Sequence, residues 1–421
     1  ALIFSTLSNP EGVDFFEIEE NMKKILTLLA LLIIIVLPAC QATTEVAPSE
    51  TYPLEELNES YPLEEPDQES PANDQITIDY AKNFTLEYKD GYKLLTVTLP
   101  WLGATEPLHY ALVPMGNQLD AELDNAVVIN TPIKSFVSLS STYLPFLEQI
   151  GELESLIAVD TADYIYNAEV RSWVEDGKVE TIGSGATVDV EKVVELSPDI
   201  IMTSASGSSE WDTHPVLEQA GLPVVINSDY LEQDPLGRAE WGKFIAAFYE
   251  KEVEADRIFD EMAARYEKAK ASVACQTGKP TVFVNTAYEG TWYMPGSESY
   301  AAILLRDAGA NYLWNDLEET GATPIDFEVV VERAKDADFW LNVGFASDLA
   351  NLAAMDPRYA DFKAYQEGKV FNNNARITDM GGTDYYESGI ANPDTVLSDL
   401  IAIFYPDMAD EHELFYYRQL Q

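Results

Sequence analysis

Hydroxyl and aromatic side chains recur in the segments that follow short apolar runs, and they are the residues best suited to hold a small molecule. Ligands of α/β proteins bind in the crevice where parallel strands end. Aromatic rings favour binding of a large flat or apolar compound, and the guanidinium of Arg376 favours an anionic one. Any single aromatic residue is equally typical of a core. The candidate ligand-binding residues are Ser141, Thr142, Tyr164, Tyr166, Ser208, Trp211, Tyr288, Trp292, Tyr293, Phe345, Arg376, Tyr385 and Tyr386.

A site for a bare metal ion is not expected, and no resident cofactor is expected either. Zinc and manganese carriers need convergent histidine and carboxylate ligands. The three histidines, at positions 109, 214 and 412, are far apart in the sequence. The adjacent pair Tyr385 and Tyr386 could ligate ferric iron directly, although neighbouring side chains need not converge.

Patterns typical of catalysis are weak. Ser206-Gly-Ser-Ser209 lacks the strand-to-helix context of a nucleophile elbow, and no histidine–aspartate partnering stands out. Gly381-Gly382 is typical of a turn and not of a phosphate loop. We therefore predict a binding protein that is not an enzyme. A surface hydrolase and a structural adhesin are the remaining alternatives.

Apolar strands that alternate with helical patterns predict an α/β fold with mostly parallel sheets. An N-terminal β extension is expected at residues 76–125, because Asp90-Gly91 separates two alternating runs as in a hairpin. Two Rossmann-like lobes are expected at 126–234 and 280–421.

Helical spacing dominates between the two lobes, at residues 235–279. Trp241, Phe244, Ile245 and Phe248 recur with the period of one helix face. A break is expected near Glu250. A long backbone helix of about 34 Å is then expected over residues 252–274, at the usual rise per residue.

One octapeptide pattern occurs in both lobes. The first copy is Val188-Asp-Val-Glu-Lys-Val-Val-Glu195 and the second is Ile325-Asp-Phe-Glu-Val-Val-Val-Glu332. Each aspartate is predicted to cap a helix, which puts Glu191 and Glu328 in a first turn, where the helix dipole favours carboxylates. Two interpretations of this repeat are open. Any capped helix that precedes a strand could have this sequence pattern, or the two lobes are equivalent and each presents one exposed glutamate.

The segment Met22–Gln41 is typical of a secretory signal. Two lysines precede a thirteen-residue apolar run, Ile25–Leu37, which is too short for a comfortable membrane span. Leu37-Pro-Ala-Cys40 resembles a bacterial lipobox, in which the cysteine is lipidated before cleavage. Residues 1–39 are therefore interpreted as upstream read-through followed by a signal peptide. The mature protein is expected to start at Cys40, anchored to the membrane by lipid outside the cytoplasm.

Charge and composition narrow the range of partners. The formal net charge of −48 makes nucleic acid and anionic membrane surfaces poor partners. With only two cysteines, one of them predicted to be lipidated, a disulfide framework is excluded. Residues 40–75 are rich in proline, glutamate and serine, which predicts a disordered acidic tether.

The order of lipobox, tether, α/β lobe, long helix and α/β lobe resembles the substrate-binding proteins of ABC importers, of the class that carries iron–siderophore complexes, haem or cobalamin. The resemblance covers residues 127–406. The matching stretches include Phe136-Val-Ser-Leu-Ser-Ser-Thr142, Asp189–Ile201, Met294-Pro-Gly-Ser-Glu-Ser299, Asp307-Ala-Gly-Ala-Asn311 and Glu387–Leu400.

This resemblance implies a monomer that captures one metal chelate between its lobes and delivers it to a permease with its ATPase. An iron–siderophore complex is the expected ligand, with cobalamin or haem as alternatives bound by the same mechanism. The resemblance also implies that Glu191 and Glu328 contact arginines of the permease. The long helix implies a stiff backbone and a small closure. The β extension departs from the family's minimal pattern.

Overall fold

Strands and helices alternate through most of the chain, as the sequence predicts. The computed structural model describes residues 75–117, 125–208, 210–409 and 412–421. The predicted signal peptide, the lipidation site Cys40 and the tether therefore lie outside the described residues. So does Ser209 of the serine-rich loop.

The β extension is a four-stranded sheet with the strand order β1-β2-β3-β4. The predicted hairpin is confirmed, since β1 and β2 pair antiparallel around Asp90-Gly91, where Gly91 has a φ of 85°. Strand β4 pairs parallel with β3, so the predicted boundary at residue 125 is displaced and the sheet continues to Thr131. The strands are β1 (Phe84–Lys89), β2 (Tyr92–Val97), β3 (Leu108–Pro114) and β4 (Ala126–Thr131).

Buried carboxylates between residues 232 and 252 hold this extension in place. Glu240 accepts hydrogen bonds from the backbone N–H groups of residues 79, 80 and 81, at 2.7–2.9 Å. Glu232 accepts from residues 82 and 83 in the same way. Lys93 of β2 forms a buried ion pair with Glu252, at 2.6 Å. Because unpaired buried charges are costly, these contacts fix one position for the extension.

The N-terminal lobe contains a five-stranded parallel sheet with the order β7-β6-β5-β8-β9. Its central strand β5 comes first in the chain, and later strands are added on either side. The point where the order reverses therefore lies between β5 and β8. The elements are β5 (Phe136–Ser138), α1 (Leu144–Gln149), β6 (Leu156–Val159), α2 (Ala168–Glu175), β7 (Glu180–Thr181), α3 (Val190–Leu196), β8 (Ile200–Thr203), α4 (His214–Gln219) and β9 (Val224–Ile226).

Three helices link the lobes: α5 (Pro235–Ala239), α6 (Trp241–Ala247) and α7 (Glu252–Val273). The predicted break is confirmed at Glu250, whose φ of 59° is left-handed. Helix α7 has 22 residues and is about 33 Å long. One face of the helix is apolar and consists of its buried non-polar and tyrosine residues, Ala255, Phe259, Met262, Ala263, Tyr266 and Val273.

The C-terminal lobe contains a second sheet with the order β13-β10-β15-β16-β17, in which only β17 is antiparallel. A small antiparallel sheet, β11-β12-β14, packs beside it. The elements are β10 (Thr281–Val284), β11 (Ala287–Tyr288), β12 (Thr291–Pro295), α8 (Tyr300–Asp307), β13 (Asn311–Tyr312), β14 (Ala322–Asp326), α9 (Phe327–Ala334), β15 (Phe339–Leu341), α10 (Leu349–Met355), α11 (Lys363–Gln366), β16 (Val370–Asn372), α12 (Ser388–Ala391), α13 (Pro393–Phe404) and β17 (Arg418–Gln419).

Candidate functional site

Asparagines follow three neighbouring parallel strands of the C-terminal sheet. Asn285 follows β10, Asn342 follows β15, and Asn373 follows β16. Asn285 and Asn342 have φ values of 68° and 58°, a left-handed conformation that asparagine tolerates better than most residues. Strands β10 and β15 flank the reversal of strand order in this lobe, so both amides lie where ligands of open α/β sheets bind.

A cavity of about 550 Å³ lies at these strand ends and is bounded by both lobes. Ser141 and Tyr164 contribute from the N-terminal lobe, and the remaining wall comes from the C-terminal lobe. This volume is within the range of small-molecule sites. The C-terminal wall consists of Asn285, Thr286, Tyr293, Asn342, Gly344, Phe345, Asn373, Asn374, Ile377, Gly381, Gly382, Thr383 and Tyr386.

Five of the predicted ligand-binding residues line this cavity, and their contact with a ligand stays a prediction. Phe345 is 90% exposed, and Tyr164 and Tyr386 are also largely exposed. Large apolar groups are seldom left this open without a binding role when they cluster. The five residues are Ser141, Tyr164, Tyr293, Phe345 and Tyr386.

The prediction for Trp292 is wrong, because its side chain is fully buried. Its indole N–H donates to the carbonyl of Val284 at 2.8 Å, and its ring packs on Phe283 and Trp340. The next residue along β12, Tyr293, points to the opposite face and reaches the cavity.

Tyr385 does not reach the cavity either, so its predicted ligand contact is also wrong. Its ring is buried and packs edge-on against Tyr386, Tyr416 and Tyr417. Burial raises the pKa of its hydroxyl well above the ordinary value. The side chains of Tyr385 and Tyr386 therefore have different environments, which argues against a paired ferric site.

Arg376 and Tyr166 lie in a different groove, at another part of the junction between the lobes. Arg376 donates to the carboxylate of Asp384 at 2.5 Å, and its guanidinium stacks on Tyr166 and Phe415. The expectation that Arg376 would receive an anionic ligand in the cavity is wrong, because its charge is already paired with Asp384.

The four remaining candidates lie outside the cavity lining. Trp211 lines a separate pocket of the N-terminal lobe, and Ser208 lies in the same loop. Thr142 belongs to a 3-10 turn, where its hydroxyl is 2.8 Å from that of Ser140. Tyr288 is 69% exposed and lies outside the cavity lining. The structure does not place these four residues in the cavity wall.

Sequence reasoning missed the cavity's amide and hydroxyl groups. A signal was present, because an asparagine directly follows each of three buried strands. Two of the missed atoms, Oδ1 of Asn342 and Oγ1 of Thr383, are buried and have no hydrogen-bond partner among the described residues. Both atoms have almost no exposed surface of their own, so a ligand in the cavity would contact other atoms of the lining amides and hydroxyls.

The repeated motif forms equivalent helix starts in the two lobes. Asp189 caps α3, since its carboxylate accepts from the N–H of Lys192 at 3.0 Å. Asp326 occupies the predicted N-cap position of α9, but its side chain makes no capping hydrogen bond. Glu191 and Glu328 lie in first turns and are exposed, as predicted. Arg358 approaches Glu328 at 3.5 Å.

Two α/β lobes with a cavity at their facing strand ends define a two-lobed solute-binding protein. A family model described as "Periplasmic binding protein" matches residues 136–376. The chain is 30% identical over 296 residues to an uncharacterized lipoprotein of Methanocaldococcus jannaschii, covering 68% of each chain. It is 22% identical over 305 residues to an uncharacterized ABC transporter substrate-binding lipoprotein of Bacillus subtilis, covering 70% of this chain and 87% of that one.

Solved structures share the fold. A possible iron-binding (periplasmic solute-binding) protein from Staphylococcus epidermidis superposes with a TM-score of 0.51 at 19% identity, covering 65% of this chain and 100% of that one. A periplasmic heme binding protein from Pseudomonas aeruginosa superposes with a TM-score of 0.51 at 20% identity, and the match covers 69% of this chain and 98% of that one.

The chain therefore belongs to the periplasmic binding protein family, the substrate-binding components of ABC transporters. Members of this family work outside the cytoplasm and are not enzymes. Among the described residues, no helix has the length and apolar character needed to cross a membrane.

Proposed function

We propose that this protein captures an iron–siderophore-type metal chelate between its two lobes and delivers it to an ABC importer, while a lipid on Cys40 holds it at the outer face of the cell membrane. The observation that carries the proposal is the cavity of about 550 Å³ at the strand ends, to which both lobes contribute. A ligand held there would bridge the lobes, so a permease could recognise the liganded arrangement.

The cavity lining supports a bulky ligand with both apolar and polar surface. Four aromatic rings, those of Tyr164, Tyr293, Phe345 and Tyr386, lie around amide and hydroxyl groups. Large aromatic side chains provide contact area at low conformational cost, and a few polar groups fix orientation.

The metal would arrive inside its organic ligand. No group of three or more His, Cys, Asp or Glu side chains in the described parts of the chain could hold a metal ion. Iron bound here would keep the donor atoms of its chelator, and the protein would recognise the outer surface of the complex. Two structurally similar proteins are described as possibly iron-binding and as heme-binding, which agrees with cargo of this kind.

Delivery would use the exposed glutamates at equivalent helix starts, Glu191 and Glu328. With one carboxylate on each lobe, the protein would bind a two-sided permease in a fixed orientation. Such charge pairs act mainly on encounter rate and register.

The experiment is native mass spectrometry of the mature protein with ferric siderophores, haem, cobalamin and ferric ion alone. We expect one chelate per monomer and no complex with ferric ion alone. Haem or cobalamin as the single bound compound would replace the siderophore while keeping the mechanism. Failure of every chelate to bind, or a stoichiometry of two, would overturn the proposal.

A further inference from the structure

The wall of the interlobe cavity carries no ionisable acid or base other than tyrosine hydroxyls, among all the residues that the structure describes there. Its polar groups are the amides of Asn285, Asn342, Asn373 and Asn374, with the hydroxyls of Ser141, Thr286 and Thr383. The lining contains no arginine, lysine or histidine that could pair with an anionic ligand.

Two arginines that adjoin wall residues in sequence or by contact are already engaged. Arg376 lies between the wall residues Asn374 and Ile377 in the sequence, but it is paired with Asp384 at 2.5 Å and lines another groove. Arg418 lies behind the wall and donates to Oδ1 of Asn374 at 2.8 Å. Neither guanidinium lines the cavity, so an anion inside it would lose hydration without gaining a counter-charge.

The electrostatic field of the protein also disfavours an anionic ligand. The chain has a formal net charge of −48. A separate pocket of the N-terminal lobe is lined by Asp160, Glu210 and Asp212. A negative field of this kind lowers the local concentration of anions and repels them once bound.

We propose that the ligand of this site is an electrically neutral chelate with amide or hydroxamate groups, and not an anionic one. The inference rests on the proposed function and specifies the chemistry of its ligand. Three singly charged hydroxamates neutralise ferric ion, whereas three doubly charged catecholates leave a trianion. The amides and hydroxyls of the cavity lining match the polar but uncharged surface of the first kind of complex.

The test compares the ferric complexes of an uncharged cyclic trihydroxamate and of a cyclic tricatecholate, titrated into the mature protein. The neutral complex should bind at least about a hundredfold more tightly, because the anion would be desolvated without a partner. Equal or tighter binding of the trianion would overturn the inference and leave the proposed function standing. If neither complex, nor haem, nor cobalamin binds, the proposed function itself fails.

A positive charge added at the mouth of the cavity tests the same selectivity in a second way. Phe345 is 90% exposed, so Phe345→Arg should fold normally and place a cation at the cavity mouth. The affinity for the trianion relative to the neutral complex should rise about tenfold. Tyr288→Arg is the matched control, since Tyr288 is also exposed in this lobe but lies outside the lining. An equal rise in both variants would mean that the cavity charge does not decide selectivity and would overturn the inference.

Discussion

Glu387 of the C-terminal lobe accepts a hydrogen bond from the backbone N–H of Tyr166 in the N-terminal lobe, at 2.7 Å. Its second oxygen accepts from the N–H of Asn167 at 2.8 Å. One buried carboxylate thus joins the lobes beside the cavity. Burial is the main cause that raises the pKa of Glu387 to about 7, with Asp384 adding to the rise and Arg171 opposing it.

This shift predicts a pH-dependent stability. The folded protein holds the Glu387 proton more tightly than the unfolded chain, whose glutamate has its ordinary pKa of 4.5. The contribution to the free energy of unfolding is therefore fully present below pH 4.5 and is lost as the pH rises through about 7, with a total of about 3 kcal/mol.

Denaturant unfolding of the protein and of Glu387→Gln between pH 4.5 and 8 measures this term. The variant cannot titrate at this position, so its free energy of unfolding should fall less with rising pH. Parallel pH curves for the two proteins would show that Glu387 titrates near its ordinary value.

A second contact across the lobes involves Gly382. A Cβ placed there would lie 2.6 Å from the carbonyl oxygen of Tyr164. Backbone cannot move aside as a flexible side chain can, so Gly382→Ala should separate the lobes and lower ligand affinity about tenfold. Gly321→Ala is the control, because nothing lies within 4 Å of its Cβ position. Isothermal titration would contradict the prediction if both variants bound equally well.

The aromatic rim should contribute directly to binding. Phe345→Ala and Tyr386→Ala should each lower affinity about tenfold, through loss of buried apolar area in the complex. Tyr288→Ala removes another largely exposed aromatic ring that lies outside the cavity, and it should leave affinity unchanged. If the Tyr288 variant lost as much affinity as the other two, the ligand would bind elsewhere on this lobe.

The regular elements were predictable because their apolar periods are long or sharply bounded. The sequence predicts the linking helix over residues 252–274, and this helix spans Glu252–Val273. Strand β4 was assigned to the wrong sheet, since an apolar run does not reveal which neighbour it pairs with.

The site was harder to predict because neighbouring residues of a strand or turn point to opposite sides. Trp292 and Tyr293 have the same aromatic character, but only register decides that the first is core and the second lines the cavity. The pairing of Arg376 with Asp384 depends on how a loop folds back, which composition does not encode.

The lipid anchor gives a prediction for the segment outside the described residues. Leu37-Pro-Ala-Cys40 after a short apolar run predicts that Cys40 carries the lipid. Replacing it with serine should move most of the protein from the membrane to the soluble fraction of fractionated cells. A variant that stayed in the membrane fraction would contradict the lipobox interpretation.

Docking to the permease is expected to depend on one exposed glutamate in each lobe. Glu191 and Glu328 are exposed in the first turns of α3 and α9, where water and the helix dipole satisfy them. Their conversion to arginine would replace attraction by repulsion at both ends of the contact, which can cost several kcal/mol. Uptake of the chelate should therefore be lost in the double variant, with ligand affinity and stability nearly unchanged, because neither side chain lines the cavity.

The matched control for this double variant is Glu261→Arg with Glu267→Arg, which makes the same charge change on the exposed face of the linking helix. Transport of labelled chelate into cells and titration of the purified proteins separate the two roles. Normal uptake by the Glu191→Arg, Glu328→Arg protein would refute the docking role. Loss of uptake in both double variants would reflect only the altered net charge. Loss of ligand affinity in the first alone would assign its glutamates to binding and not to docking.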